Sequence, residues 1–211
     1  MKRAQTQARM IELILSEGAM SRSEIAERMA VSPSVVTGIS SLLIEQGILC
    51  ECGYRSTATG KGRRNQLLDV DVSCGFAIGV GLYERSLSVG LCTIKGDTLS
   101  HRIIALPENL PGELVIEEGI KAGREILSDC CVPPGKLFGI GLCMTKSRLE
   151  ELGFSDQGKI TLPGIPETIP TYFEPADRII AYSESAGLPV NPEGMYVFGC
   201  GRVVREFFRE K

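Results

Sequence analysis

Residues 21–49, SRSEIAERMAVSPSVVTGISSLLIEQGIL, constrain the fold more than any other stretch, because signals that start helices recur in it at a short interval. Ser21 is followed three residues later by Glu24, which matches a capping box and predicts that a helix begins there. Ser32 and Pro33 predict a second start, since serine caps helices and proline at the first helical position loses no hydrogen bond. Two helices separated by so short a break predict a helix-turn-helix.

The helix that begins at Pro33 is predicted to be amphipathic, with an outward face built from small residues. Val36, Ile39, Leu42 and Leu43 recur at helical spacing and are predicted to face inward. The outward positions are then Ser34, Thr37, Gly38 and Ser41. Such residues permit close approach to a DNA major groove, but they cannot form the paired contacts that arginine or asparagine offers to a base. We therefore expect this face to bind DNA while reading few bases directly, with sequence preference arising from DNA shape and a neighbouring wing.

A basic segment follows this helix between two predicted strands, 48–51 and 63–70. Two short strands behind such a helix predict a winged helix-turn-helix. Lys61, Arg63 and Arg64 fall near the tip of the predicted wing, where long cations reach phosphates or a narrow minor groove. The remaining candidates for DNA contact stand at the starts of the two helices: Arg22 and Ser32.

The charge of the chain is unevenly distributed. Residues 1–70 hold nine Lys/Arg against seven Asp/Glu, a balance of +2, and residues 71–211 hold 14 against 19, a balance of −5. A positively charged N-terminal part followed by an acidic remainder is typical of a DNA-binding domain joined to a second domain. We accordingly predict a DNA-binding domain over 1–72 and a second domain over 73–211.

Composition is that of an ordinary globular protein, with 43% hydrophobic and 23% charged residues. No apolar run reaches membrane-spanning length and no secretory signal stands out near the N-terminus, so we expect a cytoplasmic protein without a membrane partner. The eight cysteines include no C-x-x-C pair and lack histidine partners. They are expected to be buried thiols in a reducing compartment, and neither a metal nor a cofactor is predicted.

The second half of the chain alternates strands and helices. The strands are predicted over 74–83, 86–94, 97–106, 137–143 and 195–204, and the helices over 112–128 and 175–187. Three meandering strands followed by helix, strand, helix and strand are typical of a ribonuclease-H-like half-domain, the core of the sugar kinase and actin superfamily. The predicted fold class is therefore α+β, a winged helix-turn-helix followed by this α/β half-domain.

Most of the chain resembles the ROK family, which unites bacterial sugar kinases with sugar-responsive transcriptional repressors. The resemblance is carried by SPSVVTGI, GRRNQLLDVDVSCGFAIGVGLYERSLSVGLCTIKGDTL, LFGIGLCM and AGLPV, and it is strongest over residues 63–99. It implies a transcriptional regulator of the repressor type. It also implies a homodimer that binds a two-fold operator in double-stranded DNA, with a sugar as small-molecule effector.

The kinase motifs of the family have no counterpart in this sequence. Where the family's kinases keep an Asp and a Gly-Gly-Thr turn after the first strand, residues 81–85 are GLYER. Where they keep an Asn-Asp pair after a motif like LPV, residues 191–193 are NPE, and the zinc-binding run of one His and three Cys is missing. Phosphoryl transfer needs a positioned metal and a base. The second domain is therefore predicted to be shortened and not to be an enzyme.

Three roles stay open for the second domain. It can be a dimerisation platform that sets the spacing of two DNA-binding domains, a sensor with a small-molecule pocket, or an enzyme with unfamiliar chemistry. Polar candidates for a pocket are Glu84, Arg85, Thr145, Lys146, Arg148 and Glu184. The single histidine, His101, is expected to be structural or exposed, and no Ser/His/Asp group supports the third role.

Overall fold

A computed structural model describes residues 2–55, 65–155, 160–177, 180–181, 185, 190–191 and 194–209. The chain divides into two compact units, the first extending to Cys74 and the second from Gly75 to Phe207. Each unit combines helices with a β-sheet, so the predicted α+β class is confirmed. None of the described helices is long and apolar enough to span a membrane.

The first unit combines helices with short strands. Its helices are α1 (Lys2–Glu17), α2 (Arg22–Met29) and α3 (Pro33–Glu45). Its strands are β1 (Met20–Ser21), β2 (Leu49–Arg55) and β3 (Asn65–Val70), which pair antiparallel in the order β1-β3-β2. β2 and β3 pair from Leu49 and Val70 to Arg55 and Asn65, so residues 56–64 connect two hydrogen-bonded strands.

The helix ends follow local signals in the sequence. α1 ends before Gly18 (φ +82°) and α3 ends shortly before Gly47 (φ +69°), and glycine adopts this left-handed conformation at little cost. Ala30 takes φ +53° after α2, and its amide donates to the carbonyls of Ala26 and Glu27. This left-handed residue reverses the chain so sharply that three residues connect α2 to α3.

The two predicted N-caps differ in their hydrogen bonds. At Ser21 the capping box is complete: its hydroxyl accepts from the Glu24 amide at 3.3 Å, and its own amide donates to the Glu24 carboxylate at 2.8 Å. Ser32 occupies the N-cap position of α3, but its hydroxyl makes no capping bond and pairs with Ser34 Oγ at 3.0 Å. α3 therefore begins on the preset φ of Pro33 rather than on a side-chain cap.

We expect Ser21→Ala to destabilise the first unit by about 1 kcal/mol, because α2 loses its cap. Hydrogen bonds from the Ser21 amide and hydroxyl, with help from Arg55, lower the pKa of Glu24. A lowered pKa in the folded state stabilises the fold above the range in which free glutamate titrates, and this contribution is lost as the pH falls through the folded-state pKa. Urea unfolding at a series of pH values measures the free energy of unfolding of Ser21→Ala and of the wild type. The difference between the two should become smaller in acid, and a difference that does not change with pH would contradict the role of Glu24.

The core of the first unit is aliphatic. Its fully buried side chains include Met10, Ile11, Ile14, Ile25, Leu43, Leu49 and Leu68. α2 packs against α3, and α1 packs against β3. The buried positions of α3 are Val36, Ile39, Ser40 and Leu43, and they recur at helical spacing. Leu42, also predicted to face inward, is only half-buried, and the opposite side of α3 faces solvent.

In the described part of the second unit, five strands form the sheet. Its strands are β4 (Phe76–Tyr83), β5 (Ser86–Thr93), β6 (Thr98–Ala105), β7 (Leu137–Met144) and β8 (Thr171–Pro175). Its helices include α4 (Gly112–Asp129), α5 (Lys146–Glu151) and α6 (Met195–Arg209). β4, β5 and β6 form an antiparallel meander, β7 pairs parallel to β4, and β8 pairs parallel to β7. The result is one mixed sheet in the order β6-β5-β4-β7-β8.

Large and small residues alternate along these strands, so the two faces of the sheet differ in shape. Toward α4 the strands present Ile78, Val80, Leu82, Leu87, Val89, Leu91, Ile140 and Leu142. Toward α6 they present Ala77, Gly79, Gly81, Gly90, Gly139 and Gly141. Because successive residues of a strand point to opposite faces, this alternation makes one face bulky and the other nearly flat.

α6 lies directly on the flat face, and the strand predicted over 195–204 is wrong. A Cβ on Gly79 would lie 1.8 Å from the carbonyl oxygen of Tyr196, and one on Gly141 would lie 1.9 Å from that of Gly199. The buried residues of α6 recur with helical spacing: Met195, Tyr196, Gly199, Cys200 and Val203. The apolar and glycine content of this segment suggested a buried strand, whereas the spacing of its buried positions identifies a helix.

Two elements of the second unit were not predicted, α5 and β8. Pro175, where a helix was predicted to begin, instead ends β8, so that start is wrong, whereas the described residues 177, 180, 181 and 185 of the predicted range are helical. Most of the remaining range to residue 187 lies outside the described residues. β8 is short and follows the proline-rich residues 160–170, which carry no periodic pattern that would have indicated it.

Candidate nucleic-acid interface

The solvent side of α3 carries the residues that the sequence analysis predicted for DNA contact. The exposed members are Ser32, Ser34, Thr37, Gly38 and Ser41. Val35, which sequence reasoning did not include, is also 43% exposed; its position three residues before Gly38 on the same helix was the available signal. A Cβ on Gly38 would meet no atom within 4 Å. From Ser34 to Ser41 this side of α3 is therefore low in relief and carries no charged residue.

The hydroxyl groups on this side make local hydrogen bonds. Thr37 Oγ1 donates to the carbonyl oxygen of Pro33 at 2.9 Å, and Ser32 Oγ lies 3.0 Å from Ser34 Oγ. These bonds hold the side chains close to the helix, which keeps the surface low. A hydroxyl has further donor and acceptor capacity, so each can still bond to a phosphate or a single base edge.

Arg22 has two partners within the first unit. Its Nε donates to Ser40 Oγ at 3.0 Å, and its Nη2 lies 3.1 Å from the Glu51 carboxylate. Gln66 Nε2 donates to the same carboxylate at 2.6 Å. Arg22 therefore connects α2 to α3 and to β2, a structural role that the sequence analysis did not foresee beside the predicted phosphate contact.

Two other arginines of the first unit are also in ion pairs. Arg28 lies 2.9 Å from Glu17, and Arg55 lies 2.6 Å from Glu24. These pairs are exposed and contribute little to the free energy of folding. In each pair, however, the carboxylate offsets the positive charge of the arginine. The cations predicted at the wing tip, Lys61, Arg63 and Arg64, lie outside the described residues, in the connection between β2 and β3.

Several polar pocket candidates of the second unit have partners within that unit. Arg85 pairs with Glu108 at 2.5 Å and Arg148 with Glu151 at 2.5 Å, while Thr145 Oγ1 accepts from the Arg148 amide and caps α5. Arg85 and Arg148 nevertheless line one cavity of about 300 Å³. The Lys146 amide donates to Asp177 at 3.4 Å, Glu84 takes φ +51° in the turn after β4, and Glu184 is not among the described residues.

The histidine and the buried thiols serve packing. The ring of His101 stacks on Tyr196 with centroids 5.7 Å apart. Burial, with the Glu174 carboxylate, raises the pKa of Cys143 to about 12, and a hydrogen bond with Cys92 together with burial raises that of Cys200. Neither thiol is a ready nucleophile at neutral pH. The described residues contain no group of three or more side chains that could hold a metal ion.

Curated relatives of the chain include several regulators. The uncharacterized protein y4fQ of Sinorhizobium fredii is 26% identical over 204 residues, 93% of this chain and 49% of that protein. A putative xylose repressor of Caldicellulosiruptor is 27% identical over 141 residues, 63% of this chain and 33% of the repressor. The DNA-binding transcriptional dual regulator NagC of Escherichia coli is 33% identical over 101 residues, 48% of this chain and 24% of that protein. The chain thus spans about half the length of these relatives or less. No family model matches it.

A solved structure shares the fold. The crystal structure of a ROK family transcriptional regulator, described as a homologue of the Escherichia coli MLC protein, matches with a TM-score of 0.58 and 16% identity. The match covers 88% of this chain and 48% of that one. The sequence relatives and the shared fold agree with the resemblance found in the sequence: the chain is similar to a putative xylose repressor and to NagC, and it shares the fold of a ROK family transcriptional regulator.

Proposed function

We propose that the first unit is a winged helix-turn-helix that binds double-stranded DNA, and that the chain is a ROK-type transcriptional repressor. The observation that carries the proposal is the low, uncharged side of α3 from Ser34 to Ser41, exposed directly after the three-residue turn from α2. A helix in this position of a helix-turn-helix enters the major groove and lies close to the bases. Small residues are what such close approach requires.

The hairpin of β2 and β3 supports the second part of the interface. The two strands pair antiparallel as far as Arg55 and Asn65, and the connection between them contains Lys61, Arg63 and Arg64. Because Arg22, Arg28 and Arg55 have carboxylate partners, the cations of this connection are better placed than those three arginines to attract phosphates. In the proposed interface, α3 fits closely into the major groove, and the cations of the wing attract the phosphates.

The proposal is tested by an electrophoretic mobility shift with the full chain and duplex DNA from upstream of its own gene, over a series of salt concentrations. Retardation that weakens steeply as salt rises is expected, since counterions are released from the phosphates. A palindromic fragment should bind two copies of the chain, because a two-fold operator matches a two-fold dimer. Failure to retard any duplex at low ionic strength would contradict the proposal.

Arg64→Ala should weaken binding to all duplex sequences and reduce the slope of log K against log salt by about one unit, as for one lost phosphate contact. The matched control is Arg85→Ala, which removes an exposed arginine in the second unit. It should leave the slope unchanged. An unchanged slope for Arg64→Ala would show that this arginine does not meet a phosphate.

The second unit is proposed to serve homodimerisation and effector sensing in the cytoplasm rather than catalysis. Effector sensing is supported by relatives whose names mention a ligand, since one is a putative xylose repressor and another an N-acetylglucosamine repressor. Light scattering of the purified chain measures the oligomeric state. A monomer at the concentrations that retard DNA would contradict the dimer.

A further inference from the structure

A large apolar cavity lies between the sheet and α4 of the second unit. Its volume is about 380 Å³, within the range of roughly 300–1,000 Å³ that small-molecule sites occupy. The bulky face of the sheet forms one wall, α4 forms another, and residues 162–169 before β8 contribute a third. The cavity therefore has the size of a ligand site and lies on the opposite face of the sheet from α6.

Two glycines of α4 keep this space open. Gly119 and Gly123 are buried, stand one turn apart and line the cavity. A Cβ on Gly119 would lie 3.9 Å from its nearest neighbours, and one on Gly123 would lie 3.6 Å away, both ordinary contact distances. Alanine would therefore fit and would favour the helix. Unlike Gly141 under α6, these glycines are not required by a close backbone approach.

The lining determines what can fill the cavity. Unfilled apolar space destabilises a fold, because the lining atoms lose dispersion contacts. Water is a poor occupant, since it needs several polar partners. Among the described residues that line the cavity, all but Arg124 have apolar side chains or are glycine. A sugar, whose hydroxyls each need a partner, is consequently a poor match, and a molecule with an apolar body is a good one.

Arg124 supplies the single charge. It is exposed, and its Nη2 donates to the carbonyl oxygen of Gly164 at 2.9 Å, which holds the guanidinium beside the cavity. A guanidinium has five donors and is suited to a carboxylate, which can accept two parallel hydrogen bonds. One bond to Gly164 leaves donors for such a group.

We infer that this cavity is a binding site for a small carboxylate with an apolar body, such as a medium-chain or aryl acid. The apolar body lies against the sheet and the two glycines, and the carboxylate lies at Arg124. The role of this ligand as an effector rests on the proposed regulatory function, whereas the binding itself does not.

The test is calorimetric titration of the full chain with octanoate, with 1-octanol and glucose as comparison ligands. Saturable binding of octanoate with one site per chain is expected, with weaker binding of 1-octanol and none of glucose. Arg124→Gln should weaken octanoate binding by about tenfold and leave 1-octanol unaffected, because only the carboxylate loses a charged partner. Lys121→Gln, which removes an exposed charge of the same helix outside the cavity, is the matched control.

Gly119→Leu should abolish binding of both octanoate and 1-octanol, because the new side chain occupies the cavity. Circular dichroism checks that this variant folds, and Gly119→Ala, which adds one methyl group, should weaken binding in the same direction if the larger change unfolds the protein. No saturable octanoate binding, or binding unchanged in Arg124→Gln or in both Gly119 variants, would overturn the inference. DNA binding is measured separately by the mobility shift. Octanoate binding without DNA binding would contradict the proposed regulatory function and still support the binding site.

Discussion

Gly38→Glu is expected to lower the affinity for duplex DNA by at least about tenfold while making the protein slightly more stable. Gly38 lies in the interior of α3, where glycine costs roughly 0.5–1 kcal/mol relative to good helix formers. Since a Cβ there meets no atom within 4 Å, the fold accommodates the new side chain. In the proposed complex the carboxylate would face the phosphates, and its bulk would hold α3 away from the groove.

Stability and affinity moving in opposite directions would exclude misfolding as the cause. Fluorescence anisotropy with a labelled operator fragment measures affinity, and thermal unfolding measures stability. Ser128→Glu is the matched control, because it makes the same change of charge at an exposed position of α4 in the other unit. Wild-type affinity in Gly38→Glu would show that α3 is not the DNA-reading helix. An equal loss in the control would assign the effect to net charge.

Gly141→Ala is expected to lower the free energy of unfolding by about 3 kcal/mol, the upper part of the range for overpacked cores. The added Cβ would lie 1.9 Å from the carbonyl oxygen and 2.3 Å from the carbonyl carbon of Gly199. These are backbone atoms, which cannot rotate away as a side chain can. α6 must therefore shift as a whole, and contacts such as Tyr196 with Gly90 are disturbed with it.

Urea unfolding followed by circular dichroism measures this loss, and limited proteolysis reports whether α6 detaches first. Gly123→Ala is the matched control, since its Cβ would lie 3.6 Å from Ile78 Cδ1 on the opposite face of the same sheet. That variant should be neutral or stabilised by up to about 1 kcal/mol. Equal stability of Gly141→Ala and wild type would contradict the close packing of α6 on β7.

Part of the proposed interface could be predicted because it depends on neighbours in the sequence. The outward positions of α3 follow from helical spacing and the start at Pro33, and they are exposed as expected. The partners of Arg22 could not be predicted, because Ser40 and Glu51 lie 18 and 29 residues away. A long arginine side chain pairs with a carboxylate that the fold brings close to it, and the order of residues in the sequence does not show which one that is.

The sequence by itself determined the ends of the helices in the first unit and the alternation of large and small residues in the second. Capping bonds and left-handed glycines act over three or four residues, and side-chain alternation is a property of a single strand. Only the tertiary structure decided that residues 195–209 form a helix. An apolar segment with glycines is compatible with strand or helix, and here the choice depends on the glycine face formed by three distant strands. Because glycines stand on that face where α6 crosses it, a helix can approach there until the two backbones touch.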